Sequence, residues 1–160
     1  MLVTLTPPTG IPTEEEWRDW PLESKRYLDL DEDYARRQFL GKSFEEAVAM
    51  FRDSNVLMRA EDVGYMPPIP FRYYMLAFAA HMLAGAPTTV RDCPSDAANS
   101  FLSLVEGKLE AERSWIAPIL PRIMPIVELV ATNQKTYDAG IEIYGVFLER
   151  LAHIKKLQGA

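Results

Sequence analysis

Cysteine and histidine are scarce in this chain: Cys93 is the only thiol, and His81 and His153 are the only imidazoles. A single cysteine cannot close an internal disulfide, which leaves the fold to its core and fits a reducing, cytoplasmic setting. The three residues share no local ligand spacing, so a zinc site would need carboxylates brought in from far along the chain. No metal and no cofactor is expected. Clustered Lys and Arg are missing as well. Nucleic-acid binding needs such clusters to displace phosphate counterions, so that class of partner is excluded.

The N-terminus, Met1–Pro12, has no basic residue and three prolines, so it does not read as a signal peptide. The longest apolar stretch, Tyr73–Ala86, is interrupted by His81 and Gly85. It falls short of the ~20 residues that span a bilayer, and no membrane partner is expected.

What is present points to one globular domain. The 160 residues are 48% hydrophobic and 25% charged, and a chain of this length buries roughly two-thirds of its unfolded surface. The net charge of −6 is lopsided. Residues 1–66 carry 14 acidic and 8 basic side chains, whereas residues 67–160 carry 9 of each. The acidic part keeps the domain soluble or draws in a basic protein partner.

Helix signals dominate. Thr13 with Glu16 and Ser43 with Glu46 have capping-box spacing. Asp29–Asp33 place acids at the start of a helix ending near Leu40, with Gly41 as its left-handed stop. Ala60–Gly64 fits one helical turn, and Met66–Pro70 an extended or tightly turned link. The helix expected over Phe71–Ala84 is apolar almost all round, which marks it as buried and central. After a loop over 88–94 come a helix from about Ser95 to Arg113, a proline-interrupted run, a helix from about Arg122, and a last helix from about Gln134 to Leu157. Leu2–Leu5 could form a short edge strand without a clear partner. The reading is an all-α, compact bundle of six or seven helices around a buried central one, a single domain over 1–160 with an extended arm over 1–12.

The motifs tested for chemistry fail in turn. Gly41-Lys42-Ser43 resembles the tail of a phosphate-binding loop, but Arg36 stands where the first glycine belongs, and a helix precedes it. Asp29-Leu30-Asp31-Glu32-Asp33 begins like a calcium loop, but Tyr34 and Leu40 replace its turn glycine and bidentate acid. Cys93 lies between Asp92 and Pro94, and a neighbouring carboxylate raises rather than lowers a thiol pKa. No catalytic residue is assigned.

Polar residues in apolar settings remain. His81, inside the most apolar helix, must be hydrogen-bonded in the core or face a pocket. Arg72 needs a carboxylate if it is buried, and Glu61 or Asp62 is the expected ion-pair partner. With Tyr74, these residues form a candidate polar cluster or pocket. Trp17 and Trp20 share one face of a short helix, as core caps or as interface anchors. Ile143, Phe147 and Ile154 form a second stripe on the last helix, packed internally or meeting another chain.

The segment Glu61–Ala77 places an acidic turn and a short linker ahead of Phe71-Arg72-Tyr73-Tyr74, which opens the central helix. In this it resembles a family of small uncharacterised bacterial helical domains, over about a tenth of the chain. The resemblance implies an all-helical fold and an accessory or immunity-like role in binding a protein partner. It brings no catalytic residue. The expected function is therefore non-enzymatic protein binding. The alternatives are a small-molecule or enzymatic pocket beside the central helix near His81, and a homodimer or larger homo-oligomer built through the last helix.

Overall fold

Ser43 and Glu46 close the capping box their spacing predicts: Glu46 N donates to Ser43 Oγ at 3.1 Å, and Ser43 N donates to Glu46 Oε1 at 3.0 Å. Two backbone donors are satisfied, and α2, Phe44–Asp53, begins. Ahead of it α1, Leu30–Phe39, ends before Gly41, whose φ of +78° makes the expected left-handed stop. The computed structural model describes residues 3–21, 30–84 and 93–160. Leu2, Asp29, the stop expected at Gly85 and most of the loop expected after residue 88 lie outside these ranges.

Thr13 and Glu16 also exchange capping bonds, but they open only a 3-10 turn, Glu16–Arg18, before Pro21. The single turn expected from Ala60 is instead a nine-residue helix, α3, Val56–Gly64. Asn55 starts it by accepting from Leu57 N at 3.1 Å and Met58 N at 3.3 Å. The proline run is also more helical than expected: α4 spans Pro68–Leu83. Pro68 and Pro70 sit in its first turn, where backbone N–H groups have no intrahelical acceptor and their absence costs nothing.

Helix α5, Pro94–Ala111, leads into α6, Arg113–Ile116, a 3-10 turn over Ala117–Ile119, and α7, Leu120–Ala131. This run from Arg113 to Ala131 has 19 residues and mean hydropathy 1.4, long and apolar enough by those measures to cross a membrane. It exceeds the 73–86 stretch. Its Trp115, Ile116, Ile123, Ile126, Val127 and Val130 are buried in the domain's own core.

The expected last helix is broken. Residues 132–138 form turns, α8 is only Ile141–Tyr144, and α9, Phe147–Gln158, starts after Gly145 at φ +73°. Gln134 organises the break: its Nε2 donates to Ala139 O at 2.8 Å and Gly145 O at 2.7 Å, and its Oε1 accepts from Phe147 N at 2.9 Å. The stripe read as one face is therefore divided. Phe147 and Ile154 are fully enclosed, whereas Ile143 is 80% exposed on α8.

The described residues thus hold seven α-helices of nine residues or more and no strand. Val3 and Leu5 lean on the core without pairing. α4 is the axle: it packs against α2, α3, α5, α6, α7 and the 3-10 turn at Glu16. Phe71, Tyr74, Met75, Ala77, Phe78 and Ala79 on it are wholly inaccessible.

Candidate functional site

The polar residues expected to converge do not form one site. Arg72 makes no ion pair with Glu61 or Asp62. Its Nε donates to Trp115 O at 2.8 Å and its Nη2 to Ser114 O at 2.9 Å, so it ties α4 to α6. Trp115 Nε1 donates to Met66 O at 3.1 Å from the other side of the same junction. A guanidinium can meet its needs at free helix carbonyls as well as at a carboxylate, and this the sequence pattern could not signal.

Asp62 is instead paired with Arg59, Nε to Oδ2 at 3.0 Å, and both side chains are over nine-tenths buried. The approach is off-axis, and neither atom has a well-aligned hydrogen bond. Burial outweighs the attraction of Arg59 and pushes the Asp62 carboxyl up to about 6. Arg59 also donates to Gln38 Oε1 at 2.7 Å, which joins α3 to α1. Glu61, one residue earlier, is exposed.

Tyr74 serves the α1–α2 turn. Its hydroxyl lies 2.8 Å from Phe39 O and 2.9 Å from Lys42 O, and burial raises its pKa. His81 is buried at the opposite end of α4, its ring 6.2 Å from that of Phe51 and 6.5 Å from that of Phe78. Trp17 is buried beside Tyr74 at 5.9 Å, and Trp20 is partly buried against the core.

Three carboxylate and imidazole groups do converge from distant sequence: Glu106 and Glu110 on α5 and His153 on α9, with ligand atoms all within 4.8 Å of one another. They are also partners in interhelical pairs. Arg150 Nε donates to Glu106 Oε1 at 2.7 Å, and His153 Nε2 lies 3.2 Å from Glu110 Oε1. A cation here would share Glu106 with Arg150. The i, i+4 glutamates were readable in the sequence, but their alignment with His153 depends on how α9 docks.

Concave surface lies between α3 and α5. One cleft of about 360 Å³ is lined by Asp53, Ser54, Asn55, Val56, Leu57, Cys93 and Asp96. A second, of about 240 Å³, runs on along Ala60, Glu61, Asn99, Ser100, Ser103 and Leu104, and Leu57 belongs to both. The walls named carry three carboxylates and no cationic side chain. Asp53 is bridged by Arg52 at 2.9 Å, and Asp96 accepts from Tyr144 Oη at 2.8 Å. Leu57 and Met58 on α3, each 43% exposed, and Tyr65 just after it, 41% exposed, put apolar side chains at the surface.

Close helix contact shapes this face. A Cβ on Gly64 would meet Leu104 Cδ2 at 3.4 Å. Behind it, buried Lys108 Nζ donates to Gly64 O at 3.0 Å and to Glu112 Oε1 at 2.7 Å, and lies 5.0 Å from the Phe71 ring. The sequence reading missed this face because it took α3 as a single turn.

No protein-family model matches the chain, and no curated protein or solved structure matches it either. The likeness to small uncharacterised helical domains therefore stands on the 61–77 segment, and the function is unknown.

Proposed function

We propose that this chain is a non-enzymatic cytoplasmic protein-binding module, of an accessory or immunity-like kind, that docks a basic amphipathic segment of its partner along α3 and α5. The observation that carries this is the pair of clefts sharing Leu57, whose walls hold Asp53, Glu61 and Asp96 and, among the described residues, no cation. Apolar side chains beside carboxylates suit a helix with one apolar and one basic face. The acidic balance of residues 1–66, which supply α3, would steer such a partner at long range. The exposed free thiol of Cys93 suits a reducing compartment.

The test is quantitative capture from cytosolic extract at graded salt, with the native chain compared with a Leu57→Ser, Glu61→Lys, Asp96→Lys variant. We expect a basic protein retained at low salt, released as salt rises, and lost from the variant. No partner at any salt, or the same partners on the variant, overturns the reading.

A further inference from the structure

A third cavity, of about 450 Å³, lies on α4 at the end away from His81. Its walls come from the N-terminal arm over Pro8–Thr13 with Glu16, from Ile69, Arg72, Tyr73 and Leu76 at the start of α4, and from Ile119 and Arg122 at the start of α7. Most of this lining is apolar. The charged groups are two arginines and one glutamate, a local excess of cation in a chain of net charge −6.

Neither arginine has a carboxylate partner among the described residues. Arg72 uses Nε and one Nη2 hydrogen on the carbonyls of Trp115 and Ser114. Arg122 uses Nη2 on Thr6 O, which pins the arm as the cavity wall. A guanidinium has five N–H donors, so each has donors to spare. Glu16, the one acid in the wall, is engaged in the N-terminal turn, its Oε1 accepting from Thr13 N at 2.9 Å.

We propose that this cavity binds a small organic carboxylate with an apolar body, the carboxylate between Arg72 and Arg122 and the body against Ile11, Ile69, Leu76 and Ile119. Its size falls within the ~300–1,000 Å³ of small-molecule sites, and few polar groups in an apolar wall is the usual pattern of such sites. Two forked donors favour a planar carboxylate. The site is separate from the α3–α5 face, so either proposal can fail without the other.

The experiment uses the full chain titrated with phenylacetate, followed by backbone amide NMR shifts. Phenylacetamide and inorganic phosphate serve as controls. Saturable shifts at Gly10, Ile69 and Arg122 are expected with phenylacetate, and at least tenfold weaker binding of either control. Arg122→Gln should weaken phenylacetate binding at least tenfold, with Arg122→Lys falling between. Ile69→Trp, which fills the cavity from a partly exposed position, should abolish binding while leaving the fold intact. Shifts that do not saturate, phosphate binding as tight as phenylacetate, or unchanged binding in Arg122→Gln and Ile69→Trp would overturn the proposal.

Discussion

Tyr74 carries more structural weight than its place in an apolar helix announces. Its single hydroxyl proton serves two backbone carbonyls, Phe39 O and Lys42 O, on either side of the Gly41 turn. Tyr74→Phe keeps the ring contacts with Phe39 and Trp17 and removes only that bond. We expect a loss of about 1 kcal/mol in unfolding free energy, visible in urea titration. No change would mean that water replaces the hydroxyl. Asp62 offers a second test, in pH. Its folded pKa of about 6 lies above the ordinary 3.8, so the fold favours the protonated form. The penalty for this carboxylate is absent below pH 3.8, grows as pH rises, and is complete above about 6. The stability difference, native chain minus Asp62→Asn, should therefore fall between pH 4 and pH 7. A difference that rises would mean Arg59 holds the carboxylate ionised. That Asp62 is buried was not legible in its own neighbourhood, because its partner Arg59 lies on the same short helix that the sequence reading truncated.

Among the elements, those with chemical punctuation were legible and those set by docking were not. The capping boxes at Thr13 and Ser43 and the stop at Gly41 follow from local hydrogen bonding and appear as expected. The all-round apolar pattern of α4 also translated directly into burial. The break in the last helix had a signal, Gly140 and Gly145, but the steps of four and three from Tyr137 to Leu151 run through it. The pattern arises because α8 and α9 carry apolar residues independently, and only Gln134 shows why the chain turns between them. Gly145 makes this testable. At φ +73° and ψ −174° it occupies a region open almost only to glycine, and a Cβ there would meet nothing within 4 Å. Gly145→Ala thus isolates backbone strain, of order 1–3 kcal/mol. A drop in melting temperature is expected. An unchanged Tm would mean that the break relaxes toward the continuous helix.

Across the whole molecule, the candidate sites lie where separate elements meet, between α3 and α5 and between the N-terminal arm, α4 and α7. His81 and Tyr74 were read as site residues because polar groups in an apolar helix demand partners; the structure places the Phe51 and Phe78 rings beside His81 and bonds Tyr74 to the Phe39 and Lys42 carbonyls. The clefts form where α3 meets α5 and where the arm meets α4 and α7, a matter of tertiary geometry that no local pattern records. This arrangement predicts a gradient of local stability. Opening α4 would expose residues that contact five other helices, so its amides should exchange only through unfolding of most of the molecule. Helix α8, one turn long with no buried residue, should open alone at small cost. Hydrogen exchange followed by mass spectrometry should place the slowest amides over 71–83 and the fastest helical ones over 141–144. Equal protection in the two segments would mean that α4 is no more central than its neighbours, and the cavity at its start would then lose the rigid wall on which its shape depends.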